Sequence, residues 1–158
     1  MACDRSPDEL SDAGLVVAWL MHAHQSVHAA LETEMREQLG ISASHFDVLR
    51  ALLGAPGGQL RMVDIADQMC ISRSGVTQSV DRLENLGLVT RTTRRGDRRL
   101  VLAEITAEGR ALVPAGHQII EAVAARFITG TLTEQQAAAL ASYLATVAAA
   151  AGQPDPVA

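Results

Sequence analysis

The stretch from Leu60 to Glu104 passes from a helical to a two-residue hydrophobic period, and this narrows the folds open to the chain more than any other feature. Met62, Ile65, Ala66 and Met69 recur at helical spacing, so the segment from Arg61 to Cys70 reads as a helix with one apolar face. Ile71-Ser72-Arg73-Ser74-Gly75 breaks that pattern, with Ser72 placed to accept from the free amides that open a second helix. In that helix Val76, Val80 and Leu83 form a stripe to be buried, leaving Arg73, Ser74, Thr77, Gln78 and Asp81 facing outward. Leu86-Gly87-Leu88-Val89 ends it at a glycine and begins an extended run. Leu100, Leu102 and Glu104 then alternate with Val101, Ala103 and Ile105, the period of a strand with one buried face, and Gly96-Asp97 is the expected hairpin tip. Leu60 is placed to add one residue of pairing to this ribbon.

The charge of this stretch points to its chemistry. Arg91, Arg94, Arg95, Arg98 and Arg99 are five of the chain's 13 basic residues, and there is no Lys. The net charge of the whole chain is −5, yet residues 61–99 carry eight basic and five acidic side chains, a local +3 against −8 for the remainder. A local basic footprint counts for more in nucleic-acid binding than the total. Arg and Gln on the second helix can pair bidentately with base edges in a major groove, and Ser and Thr hydroxyls can reach phosphates or bases. A narrow ribbon with arginines near its tip suits a minor groove, where the potential is most negative.

Arg61 to Gly109 resembles the winged helix-turn-helix of the MarR family of bacterial transcription regulators. The resemblance is carried by Ser72-Arg73-Ser74-Gly75-Val76-Thr77, Val80-Asp81-Arg82-Leu83-Glu84, Gly87-Leu88-Val89, Asp97-Arg98-Arg99 and Ile105-Thr106-Ala107-Glu108-Gly109-Arg110. In the family the wing reads Asp-x-Arg followed by Leu-Thr-x-x-Gly-Arg; here Asp97 and Arg99 match, and Ile105 takes the place of Leu. More loosely the likeness runs from Leu15 to Ala150. It implies a mainly α chain with a small β wing, its winged helix-turn-helix flanked by N- and C-terminal dimerisation helices. It also implies a homodimer on a pseudo-palindromic operator of double-stranded DNA, with affinity often changed by a small molecule. On that basis Arg73, Ser74, Thr77 and Gln78 are expected in the major groove and Arg98 and Arg99 in the minor groove. Asp97 would orient a wing arginine, and Arg94 and Arg95 would hold phosphates or form a solvated hairpin edge that blocks strand addition.

Elsewhere the pattern is helical. A long helix is expected from Ser11 or Asp12 to Gln38, ending near Gly40, with Val16, Leu20, Ala23, Val27, Leu31 and Met35 on one inward arc. His24 and His28 share that arc, and His22 faces away. Such a pair can cap buried carbonyls, sit at a wet dimer seam, bind an anionic ligand or chelate a metal. Nothing in the sequence completes a metal-ligand set, so neither metal nor cofactor is expected. Ser42 or Ser44 opens a shorter helix through Leu53 with Phe46, Leu49 and Leu52 inward. In the resemblance this helix walls a cavity between the dimer and DNA-binding parts. That makes Trp19, His24, His28, His45, Phe46 and Arg50 candidate contacts for an aromatic or phenolic acid, with plain packing the other reading of Trp19. Thr106 caps a helix that contains Pro114 and should bend there; it runs to about Ile128 and stops at Gly130. Thr131 or Thr133 starts the last helix, which presents Leu140, Tyr143, Leu144 and Val147 and ends near Ala150. In outline, 12–40 and 106–150 are dimerisation helices, 44–105 is the DNA-binding lobe, and 1–11 and 152–158 are mobile tails.

Aromatic residues make up 3% of a chain that is 48% hydrophobic, so its core must be built from Ala, Leu, Val and Ile. No run is long and apolar enough to span a membrane and no signal-peptide pattern opens the chain, so a cytoplasmic protein is expected. Cys3 and Cys70 make no disulfide framework there; Cys70 reads either as a buried small hydrophobe or as an oxidant-sensing thiol. Gly-x-Ser-x-Gly, phosphate-cradling glycine loops, His-Glu-x-x-His and paired Cys-x-x-Cys are all absent, and the Glu32/Glu34 pair lies on a solvated helix face, which argues against an enzyme. Two alternatives remain open: a winged-helix adaptor or antirepressor that docks on a protein, and a DNA-binding protein with no effector.

Overall fold

The computed structural model describes residues 10–69, 71–94 and 97–150, those from 93 to 100 by backbone alone. Among the described residues, every α-helix but the third opens on a hydroxyl side chain. Ser11 accepts from the Gly14 amide to open α1 (Asp12–Leu39), and Ser42 accepts from His45 to open α2 (Ala43–Gly54). After α3 (Met62–Met69), Ser72 accepts from Gly75 to open α4 (Arg73–Asn85). Thr106 does the same with Gly109 for α5 (Ala107–Ala124), and Thr133 with Gln136 for α6 (Glu134–Ala150). Each such cap satisfies one amide that the helix itself cannot, for about 1 kcal/mol.

The sheet is antiparallel, in the order β1 (Gln59–Arg61), β3 (Asp97–Ile105), β2 (Val89–Arg94). Its first strand is longer than expected: Gln59, Leu60 and Arg61 all pair, opposite Glu104, Ala103 and Leu102. On the other side Val89 pairs with Ile105 and the register slips between Thr93 and Arg94. Asp97 consequently opens β3 opposite Arg94, a correction to its expected place at the hairpin tip, while Gly96 lies outside the described residues. Two-residue periodicity locates a strand but cannot reveal an irregularity that shifts its far end.

Helix α4 stops in a Schellman motif: the Leu88 amide donates to the Leu83 carbonyl and the Gly87 amide to that of Glu84, with Gly87 at φ 72°. Leu83 and Leu88 are both buried, so the motif drives the chain from helix into strand over the core. That core joins Met35 of α1, Phe46, Val48, Leu49 and Leu52 of α2, and Ile65 of α3 to Val76, Val80 and Leu83 of α4. Val89, Ala103 and Ile105 of the sheet and Val113 and Ile119 of α5 complete it. Each fully buried aliphatic side chain contributes roughly 1.5–3 kcal/mol.

Helix α5 remains continuous through Pro114, passes into a π-helical turn at Ala125–Thr129 and gives way to α6 beyond Gly130. The arc expected to face inward along α1 does so only near its C-terminal end, where Met35 is buried and Leu31 and Leu39 pack on the core. Val16, Leu20, His24 and His28 are exposed, because the earlier turns extend past the chain's own core. Helix α6 contains no buried residue. No helix among the described residues is long and apolar enough to cross a membrane.

Candidate nucleic-acid interface

The start of α4 is the exposed end of the helix-turn-helix. Val76, Val80 and Leu83 are fully buried, which fixes the rotation of the helix and turns Arg73, Ser74, Thr77 and Gln78 to the surface. The expected outward set is therefore brought together on one face. Two of its hydroxyls are already engaged: Ser74 shares a 2.9 Å hydrogen bond with Ser72, and Thr77 donates to the Arg73 carbonyl at 3.0 Å. Both bonds are local and at the surface, where such hydroxyls exchange partners readily. The positive end of the helix dipole adds to the attraction for an anion there.

The ribbon lies beside this helix, and the residue that joins them was not among the expected site residues. Arg91, at the middle of β2, donates from its backbone amide to Glu84 at 3.1 Å and from Nη1 to the other Glu84 oxygen at 2.6 Å. Its Nη2 lies 2.6 Å from Asp81 Oδ1 and donates to the Thr77 carbonyl at 3.2 Å. The sequence counted Arg91 in the basic footprint and turned Asp81 outward, and the fold sets one against the other. Composition marks both residues as charged, but only the tertiary structure pairs a helix with a strand that follows it. Arg61, also counted as basic, pairs with Asp64 at the start of α3.

For the wing arginines the structure gives position only. Arg94, Asp97, Arg98 and Arg99 lie in the two strands of the hairpin, their side chains outside the described residues, as are Arg95, Cys70 and Cys3 altogether. The backbone places 94 opposite 97, at the end of the ribbon remote from β1.

The expected small-molecule contacts fall into three environments. Trp19 is 70% exposed and its ring centroid is 6.2 Å from that of His22. His24 and His28 are exposed and stacked, their rings 5.6 Å apart and inclined by 15°. On α2, Phe46 is fully buried and meets His117 edge-on at 5.8 Å, while His45 and Arg50 are half-buried. His45 closes the capping box of α2, accepting from the Ser42 amide through Nδ1 at 3.4 Å. Burial, then the Arg36 and Arg82 cations, hold its imidazole below the usual histidine range, against a weaker pull from Glu32. The neutral ring this favours is the form able to accept. Beside it Glu32 ties α1 to α2 by accepting from the Ala43 amide at 2.8 Å. Burial pushes the Glu32 carboxyl up, but that hydrogen bond and Arg36 outweigh it and hold the group below its ordinary value. No group of three metal-ligating side chains exists among the described residues.

Comparison with known proteins agrees with this geometry. The family model described as MarR family matches residues 39–100, from the end of α1 into β3. The transcriptional repressor MdtR of Bacillus subtilis (strain 168) is 32% identical over 133 residues, which are 80% of this chain and 82% of that one. The match to the regulator FarR of Neisseria gonorrhoeae is 37% identical over 86 residues, 52% of this chain, and spans only 58% of that protein. A MarR family regulator from Streptomyces coelicolor, solved in complex with DNA, superposes with a TM-score of 0.77 at 25% identity, covering 92% of this chain and 91% of that one. BpsR of Bordetella bronchiseptica, whose DNA binding is regulated by 6-hydroxynicotinic acid, gives 0.75 at 26% identity over 85% of this chain and 98% of its own. By sequence and by fold alike, the chain belongs to the MarR family of DNA-binding transcriptional regulators.

Proposed function

We propose that the protein is a homodimeric repressor that binds a pseudo-palindromic operator and releases it when a small aromatic acid binds. The observation that carries this reading is the exposed face of α4, where Arg73, Ser74, Thr77 and Gln78 project beside an arginine-bearing hairpin. In each half-site these four side chains read the major groove, while Arg98 and Arg99 follow the adjoining minor groove. Asp97 orients a wing arginine, and Arg94 and Arg95 hold phosphates. The half-sites lie about one helical turn, roughly 10 base pairs, apart. Dimerisation is supported by the apolar surface that one chain leaves open on α1 and α6, including Leu15, Val16, Leu20, Leu140, Leu144 and Val147.

Repression and ligand response draw on the relatives: MdtR is a repressor, and BpsR responds to an aromatic acid. Trp19, His24 and His28 on α1 and His45, Phe46 and Arg50 on α2 are the proposed effector contacts. The test is anisotropy of a labelled duplex selected by the protein from a randomised pool, repeated with a panel of aromatic acids. Tight, site-selective binding relieved by an acid supports the whole reading; selective binding that no acid relieves removes the ligand response and leaves the regulator.

A further inference from the structure

We propose that Arg91, held by Asp81 and Glu84, is a positioning residue that fixes the ribbon against α4 so that one protomer's major- and minor-groove contacts fall in register on the same duplex. The proposal rests on the DNA-binding reading above and adds a role for three side chains outside the expected DNA contacts. Thr77, Asp81 and Glu84 follow one another at i, i+4 and i+7 along a single face of α4, the face turned to β2. Arg91 bonds to all three. Its backbone is also seated in the sheet, opposite the fully buried Ala103. A shift of the ribbon along α4 therefore strains several bonds together. A planar guanidinium with five donors can serve two carboxylates and a carbonyl at once, which a lysine ammonium on a flexible stem does less well.

The arrangement also accounts for two carboxylates on a helix that faces DNA. Left bare, Asp81 and Glu84 would repel phosphate; beside Arg91 their charge is offset, and the guanidinium, only 25% exposed, is committed to them. Two roles for Arg91 thus predict opposite effects of deleting Glu84. If Arg91 were itself a phosphate ligand restrained by the carboxylates, Glu84→Ala would free it and strengthen binding to any DNA. If it positions the ribbon, Glu84→Ala weakens binding to the chosen site even though a negative charge has gone.

The test uses the full chain and two labelled duplexes at fixed moderate salt: one selected by the wild-type protein from a randomised pool, and a scrambled duplex of the same composition. Glu84→Ala and Arg91→Ala are each expected to bind the selected duplex about tenfold more weakly, with Glu84→Ala holding the scrambled one unchanged or more tightly. The double variant should bind no worse than Arg91→Ala alone, because both changes remove the same brace. Glu84→Gln, which keeps a carbonyl acceptor for the Arg91 amide, should recover part of the loss. Asp81→Ala, at the more exposed carboxylate, gives a reading should Glu84→Ala fail to fold, with a smaller loss confined to the selected duplex. Equal or tighter binding of the selected duplex by the folded carboxylate variants, or additive losses in the double variant, overturns the brace and leaves the regulator reading in place. A wild-type protein that selects no duplex removes both.

Discussion

Gly109 stands where the chain has no room for a side chain: a Cβ there would lie 2.2 Å from the Leu88 carbonyl oxygen and 2.8 Å from Ile105. A backbone oxygen yields less readily than a side-chain tip, so Gly109→Ala is expected to destabilise the fold by about 1–3 kcal/mol. A lowered urea midpoint at unchanged slope would report it; an unchanged midpoint would mean that α5 can lift off the sheet at no cost. His45 makes a prediction of a different kind. Its folded pKa lies below the ordinary histidine value of 6.5, so the unfolded chain takes up the proton first. The stability tied to the neutral ring is present above about pH 6.5 and is lost as pH falls toward the folded pKa. His45→Gln keeps an acceptor for the Ser42 amide and does not titrate, so its melting temperature should fall less than that of the wild type across this interval. Parallel curves would contradict the assignment. At this scale the sequence was legible where chemistry is local: Ser72 declares itself a cap because it precedes a helix by one residue. It was not legible for Arg91 or Glu32, whose partners lie on other elements and follow from packing alone.

Whole elements were readable for the same reason. Periodicity located α1, α2, α4 and the ribbon because each buries one face, and caps fixed where the helices begin. The reading failed at the hairpin end, where a register shift placed Asp97 in β3, and along α1, where an apolar arc does not say which chain will cover it. That open arc, together with α6, is where the dimer prediction belongs. Leu20→Glu and Leu144→Glu alter side chains that are 39% and 41% exposed, so the protomer should keep its helical circular dichroism. Sedimentation equilibrium at micromolar concentration should change from the mass of two chains to that of one, since a charge in an apolar seam goes unpaired. A variant that sediments as a dimer would place the interface elsewhere.

Across the molecule, charge is divided by function: +3 over residues 61–99 and −8 over the rest. On the proposed DNA-binding reading, an acidic remainder lowers non-specific DNA affinity and the basic part directs the approach. Arg99→Ala should weaken operator binding at moderate salt and lower the slope of log K against log salt by about one, as the loss of a single phosphate-neutralising or minor-groove cation requires. Equal affinity and slope would remove the wing from the interface. The most direct test of the central claim is the salt dependence of anisotropy for a duplex selected by the wild-type protein, set against a scrambled control. If α4 and the arginine ribbon together read DNA, the selected duplex binds far more tightly than the control and its log affinity falls linearly and steeply with log salt. Failure to select any duplex, or affinity that is indifferent to both sequence and salt, would contradict that claim.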